Sequence, residues 1–165
     1  MRAIFHTDKK WGIGKDNDLM FSIPKDMKFF RETTSGKVVV MGKNTLRSFP
    51  GGKPLKNRVN IVLTHGDAGD GVITVHSVEE LFREIKKYPP EDVFVIGGAS
   101  IYKMLIPYCT EVLVTKVDAD GCAEVFVPNL DADENFQLLR ESEPIEDNGY
   151  MIKFCTYRNL AVKEV

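Results

Sequence analysis

Residues 93–102, VFVIGGASIY, decide the fold. The first four are apolar and mostly β-branched, which suits a buried strand, and the helical pattern ASIYKMLIPY begins straight after Gly97–Gly98. A strand, a glycine turn and a helix in direct succession form the unit of an open α/β sheet, where ligands sit beyond the carboxyl ends of the strands. The same pattern recurs in VVVMGKNT, residues 38–45. Further short apolar runs at 2–7, 37–41, 59–64, 72–76 and 111–117 read as strands. Between them, Pro24 opens a helix over KDMKFFRETT that Gly36 stops, and Ser77 with Glu80 forms a capping box for SVEELFREIKKY. Alternating strands and helices predict a mostly parallel central sheet of about eight strands with flanking helices. The C-terminal quarter differs: 136–142 and 150–157 are extended runs, and Asn148–Gly149 is a turn signal, so an antiparallel hairpin is expected there.

Composition limits the function classes. The chain has 165 residues, 43% hydrophobic and 28% charged, which suits one globular α/β domain over residues 1–165 and excludes a disordered chain. Lys plus Arg number 22 against 24 Asp plus Glu, a balance that lacks the basic surplus of a nucleic-acid binder. No apolar run approaches the roughly 20 residues of a membrane span, and MRAIFHTDKK turns charged too soon for a secretory signal. A cytoplasmic protein is expected. Cys109, Cys122 and Cys155 carry no C-x-x-C spacing, so neither a disulfide framework nor a metal site is signalled.

Two glycine junctions let backbone N–H groups and helix N-termini face anions, as a dinucleotide's phosphates require; each also reads as an ordinary tight turn. The familiar nucleotide motifs fail. Asn17 stands where G-x-G-x-x-G needs its third glycine after Gly12 and Gly14, and the stretch from Gly36 to Asn44 departs from a P-loop in both spacing and final residue. Asp26 shares a helix face with Phe29 and Phe30. It is either a first-turn partner of the helix dipole or a buried anchor for a cationic, hydrogen-bonding ligand. Arg58 is an exposed guanidinium or a fork for a carboxylate, and Lys43, Thr64, His65 and His76 near strand ends are surface groups or phosphate ligands.

Together these segments resemble dihydrofolate reductase, in order along nearly the whole chain: AIFHTDKKWGIGKDNDLMFSIPKDMKFF, VVVMGKNT, RVNIVLT, VIGGASIY, then VTKVDAD followed by Phe126 and Pro128. The resemblance implies hydride transfer from NADPH to 7,8-dihydrofolate, giving 5,6,7,8-tetrahydrofolate. It implies that Asp26 binds the pterin's amino group and ring N–H, braced by Thr115 and flanked by Phe21. Met27, Phe30, Phe49 and Leu55 would wall the pocket, and Arg58 would take the glutamate carboxylate. Ile4, Phe5, Ile96 and Tyr102 would form the junction of pterin and nicotinamide, and His6 and Ile13 would meet the carboxamide through backbone atoms. Gly14, Asp18 and Leu19, in an expected lid over residues 12–19, would also bind the cofactor. Gly42, Lys43, Asn44, Thr45, Gly97, Gly98, Ala99, Ser100 and Ile101 would hold the pyrophosphate, with Thr64, His65 and His76 on the adenosine side. A cis Gly97–Gly98 peptide, a small-molecule substrate and a monomer are the further implications. The chain departs from the family pattern at His6, usually small and apolar, at Phe21, usually Trp, and at Met20, Lys43, Leu46 and Glu124. Two other readings compete: a related pyrimidine reductase of the riboflavin pathway on this fold, and a nucleotide-binding module without catalysis.

Overall fold

The computed structural model describes residues 1–16 and 18–165; Asn17, inside the expected lid, lies outside them. In chain order the elements are β1 (Arg2–Thr7), β2 (Gly12–Gly14), α1 (Pro24–Thr34), β3 (Val38–Gly42), α2 (Lys43–Ser48), β4 (Val59–Leu63), β5 (Ile73–Val75), α3 (Val78–Ile85), β6 (Val93–Gly97), α4 (Ala99–Leu105), β7 (Glu111–Val117), β8 (Val125–Phe126), β9 (Phe136–Glu141), β10 (Ile145–Asp147) and β11 (Tyr150–Asn159). Among the described residues one nine-stranded sheet runs β10-β11-β7-β1-β6-β3-β4-β5, with β9 also on β11, and β2 and β8 form a separate pair. The six strands from β7 to β5 are parallel; β11, β9 and β10 add the antiparallel edge.

Strand alternation assigns the two faces. Ala3 and Phe5 of β1 join Val40, Val95 and Val114 in a core covered by Leu81 and Ile85 of α3 and by Ile101 and Leu105 of α4. Ile4 points the other way, into a cluster with Met41, Phe94, Ile96 and Leu113, against which Leu46 of α2 and Phe29 and Phe30 of α1 pack. The capping box of α3 is half as expected. Ser77 Oγ accepts from Glu80 N at 3.1 Å, but the Glu80 carboxylate reaches His76 N at 2.7 Å. The helix ends at Ile85, earlier than its pattern suggested, as the chain tightens toward Pro89 and Pro90.

At the antiparallel edge the turn is where Asn148–Gly149 put it, with φ of 51° and 84°. It joins β10 to β11, however, and not β9 to β11. Pro144 has no N–H to give the ladder, so the strand that starts at Phe136 breaks and resumes as β10. This turn also holds α1. Ile23, the residue before the helix, caps nothing with its side chain. Instead Lys25 N donates to Asp147 Oδ2 at 2.6 Å, and Asn148 Nδ2 donates to the Ser22 carbonyl at 2.7 Å.

Beside β7, β1 is paired along its whole length, from Arg2 to Thr7. Beside β6 its pairing covers only Arg2 and Ala3. Past Ala3 and Val95 the two strands part, leaving a cleft at the centre of the sheet's carboxyl edge.

Candidate active site

Asp26 lies in the first turn of α1, above β1 and β7, its side chain 15% exposed. Thr115 Oγ donates to Asp26 Oδ1 at 2.6 Å, and His6 Nδ1 lies 3.0 Å from Oδ2. A residue serving only the helix dipole would face solvent; this carboxylate is held from the sheet. Phe21 is buried beside it, its ring 5.9 Å from that of His6 and 4.9 Å from that of Tyr150. Tyr102 donates its hydroxyl to the Ile4 carbonyl at 2.7 Å. Burial pushes the Tyr102 phenol well above its ordinary range, and the nearby charge of Asp26 adds to the shift, so it stays a donor. Phe5 does not join this group through its side chain. Alternation sends its ring to the opposite face, edge-on to Tyr102 at 5.0 Å, and leaves only its backbone near the cleft.

The two glycine junctions are neighbours because β3 pairs with β6. The peptide Gly97–Gly98 is cis, and Gly97 has a φ of 129°. Side chains would be crowded there: a Cβ on Gly97 would lie 3.3 Å from Thr45 Oγ1, and one on Gly42 would lie 3.1 Å from Ile101 Cγ1. The starts of α2 and α4 therefore approach one another across bare backbone, a cradle shaped for an extended anion. Ile101 is buried within it, whereas Asn44 and Ser100 are exposed and Ala99 half-buried at its rim. Lys43 Nζ donates to the Asp67 carbonyl, and His76 Nδ1 lies 2.9 Å from the Thr64 carbonyl. His65 is exposed.

On the α1 side of the cleft, Phe30, Phe49 and Leu55 pack on the cluster that contains Ile4 and Ile96. Met27 is 55% exposed and stands outside that cluster. Arg58 is fixed by three bonds. Its Nε donates to Thr34 Oγ1 at 3.0 Å, and its two terminal nitrogens donate to the carbonyls of Lys56 at 2.9 Å and Arg31 at 3.4 Å. Burial, then the Arg31 charge, lowers its pKa. A counter-anion would relieve both.

The chain matches the sequence model of dihydrofolate reductase over residues 1–159. The chain belongs to the dihydrofolate reductase family. It is 35% identical over 158 residues to dihydrofolate reductase from Bacillus subtilis (strain 168), covering 93% of this chain and 91% of that one. Its identity to the Schistosoma mansoni dihydrofolate reductase is 32% over 178 residues, with 95% of each chain covered. Among solved structures, dihydrofolate reductase from Enterococcus faecalis, complexed with NADP(H) and RAB-propyl, superposes with a TM-score of 0.84 at 34% identity. That superposition covers 96% of this chain and 95% of the other.

In this reductase the segment from Asp8 to Asp16 is fastened by groups that composition does not single out. Asp8 is buried, and its carboxylate accepts from Lys10 N at 2.9 Å, Gly12 N at 2.8 Å and Gly121 N at 3.1 Å. Glu124 performs the tether that the family assigns to an Asp. Its Oε1 accepts from Asp16 N at 2.7 Å, and its own N–H donates to the Gly14 carbonyl at 2.9 Å. Ile13 packs toward the main core, while Asp18 and Leu19 are exposed at the tip. Neither Asp8 nor the His6 side chain was found as a functional group from sequence. The available signals were an Asp four residues before Gly12 and the alternation that puts Ile4 and His6 on one face.

Proposed function

We propose that this reductase, acting as one domain over residues 1–165, uses Asp26 to anchor the pterin and promote its protonation. The reaction is that of the family: 7,8-dihydrofolate becomes 5,6,7,8-tetrahydrofolate with hydride from NADPH. The observation carrying the residue assignment is a shielded carboxylate whose two oxygens are held by His6 of β1 and Thr115 of β7. The helix that carries it also carries Phe30, which packs on the cluster of Ile4 and Ile96. Thr115 and Phe21 support the carboxylate, one through a hydrogen bond and the other by walling off solvent.

The bare-backbone cradle at Gly42, Gly97 and Gly98 fits a dinucleotide pyrophosphate, and the Enterococcus faecalis relative with NADP(H) supports NADPH as its occupant. Lys43, Asn44, Thr45 and residues 97–101 would hold the phosphates, with Thr64, His65 and His76 toward the adenosine. Backbone atoms of Ile4, His6, Ile13 and Ile96 would face the nicotinamide. When bound, the nicotinamide supplies the hydride. The chain supplies orientation and charge. Asp26 accepts hydrogen bonds from the pterin amino group and ring N–H, and its negative charge favours a proton on the ring nitrogen that must receive one. Water admitted past residues 12–19 delivers that proton, and opening of the same lid releases product. Arg58, with two of its five N–H donors unclaimed by the hydrogen bonds above, would clasp the glutamate carboxylate. We further place the protein in the cytoplasm as a monomer without a nucleic-acid partner; no helix among the described residues is long and apolar enough to cross a membrane.

The test is loss of NADPH absorbance on addition of dihydrofolate, with Asp26→Asn beside the native chain. The variant should bind NADPH normally and lose turnover most severely at neutral and higher pH. Part of the rate should return as solvent protonates the substrate in acid. Undiminished turnover at neutral pH removes Asp26 from the mechanism.

A further inference from the structure

His6 is 6% exposed, and its Nε2 is buried without a hydrogen-bond partner. An apolar residue at this position would avoid the cost of that orphaned nitrogen. What the imidazole gains is its other nitrogen. Nδ1 lies 3.0 Å from Asp26 Oδ2, and since an ionised carboxylate only accepts, Nδ1 carries the hydrogen of that bond. On the second oxygen, Thr115 Oγ donates at 2.6 Å. His6 and Thr115 are register partners of the paired strands β1 and β7, so their side chains stand next to each other on the α1 face. Two donors rising from neighbouring strands thus meet the two oxygens of one carboxylate that descends from the helix. Phe21 closes the far side of the imidazole with an apolar ring.

We propose that His6 is a positioning residue for the reduction: its Nδ1–H and the Thr115 hydroxyl grip the two oxygens of Asp26, fixing the carboxylate's plane and its role as acceptor before the pterin arrives. Each oxygen keeps further lone pairs for the pterin's two donors, so the grip orients Asp26 without filling it. A carboxylate free to rotate about its last torsion would have to be ordered at every binding event; this one is ordered by the sheet. The inference rests on the reading of Asp26 given above, and the experiment separates the two.

Three variants are compared in single-turnover hydride transfer at saturating NADPH and dihydrofolate. His6→Ala removes the grip, and the rate should fall about tenfold, the effect of one hydrogen bond to a charged group. NADPH affinity should stay within about twofold, because the position's backbone remains and only the Asp26 contact is lost. The amide nitrogen of Asn sits at the same branch distance as imidazole Nδ1, so His6→Asn should restore the rate to within about threefold of native. In the ligand-free chain the imidazole Nδ1–H should give a downfield, exchange-protected proton resonance that moves upfield or is lost in Asp26→Asn, whose amide oxygen is an uncharged and weaker acceptor. The resonance needs no activity and no folded His6→Ala protein. A native rate in His6→Ala, equal losses in the Ala and Asn variants, or an Nδ1–H resonance indifferent to Asp26→Asn would each overturn the positioning role. If Asp26→Asn is slow while His6→Ala is native, only the His6 inference fails. If Asp26→Asn itself turns over at the native rate, the underlying reading of Asp26 fails.

Discussion

Arg58→Leu tests the substrate end of the cleft. In the native chain the guanidinium has three of its five N–H groups committed, one on each nitrogen, to Thr34 and to the carbonyls of Lys56 and Arg31. One N–H remains on each terminal nitrogen, the pair a carboxylate accepts side by side. Nothing must be ordered when the anion arrives, because Arg58 is already fixed. Losing a bidentate, partly desolvated pair costs about 2–3 kcal/mol after discounting for the site's partial exposure, which is about 30- to 150-fold in affinity.

The assay has two arms. Dihydrofolate binding and the steady-state KM should weaken by that factor in Arg58→Leu, while NADPH affinity, measured by fluorescence quenching, stays native. A reduced pterin lacking the glutamate should be handled equally by both proteins, since it has no carboxylate for Arg58 to clasp. Arg58→Lys should recover only part of the loss, because an ammonium is a point charge without the planar fork. Equal losses for dihydrofolate and NADPH would refute the assignment. So would a glutamate-free substrate that suffers as much as dihydrofolate.

Three further outcomes follow from other parts of the molecule. A Cβ on Gly12 would stand 2.2 Å from Ala123 Cβ, which has no rotamer to escape into, so Gly12→Ala should part β2 from β8 and destabilise the fold by about 1–3 kcal/mol in urea unfolding; unchanged stability would show that the loops tolerate separation. Burial pushes the Cys109 thiol up to about 12 and raises that of Cys155, whereas Cys122 is exposed, so a thiol reagent should modify one of the three cysteines quickly and Cys122→Ser should abolish that phase. Burial pushes Asp131 up, but hydrogen bonds from Lys116 and Tyr157 together outweigh it and leave its pKa below the ordinary 3.8. A depressed carboxylate contributes stability above its unfolded pKa and loses it as pH falls through the folded one. Asp131→Asn should therefore lower the unfolding free energy at pH 7, by under about 1 kcal/mol for so exposed a pair, and the difference should shrink as the pH falls through the native carboxyl's depressed pKa; a deficit independent of pH would refute the linkage.

What the sequence made legible was what short-range pattern controls. Val38, Val40 and Val93 specify strands buried on both faces, Pro24 and Gly36 bracket α1, and Gly97–Gly98 marks the junction whatever the rest of the chain does. Long-range pairing was not legible. Nothing near Pro24 says that its helix start will be capped by Asp147 from the far end of the chain. Asp8 looks like any loop carboxylate until Gly121 comes round to donate to it. Met27 shows the same limit: a single step along a helix turns a side chain by about 100°, and one step from Asp26 it stands exposed, outside the cluster that Phe30 joins.

The cleft itself is the feature least visible in any one segment, and it follows from an imbalance between neighbours. β7 matches β1 residue for residue to Thr7, so β1 is anchored to the antiparallel edge throughout its length. β6, by contrast, must meet β3 on its other side and end in a glycine turn at Gly97, where its register with β3 already slips. With β1 committed to one neighbour and β6 to the other, the bonds between them cease after Ala3 and Val95. The Ile4 carbonyl, stripped of a ladder partner on that side, is taken up by the Tyr102 hydroxyl. The opening thus satisfies the backbone it exposes, and it does so with a phenol whose burial keeps it protonated. Removing that hydroxyl with Tyr102→Phe would leave a carbonyl unpaired at the cleft's floor, whereas closing the strands would require β6 to give up β3. The proposed binding site is therefore the place where the sheet cannot satisfy both neighbours at once.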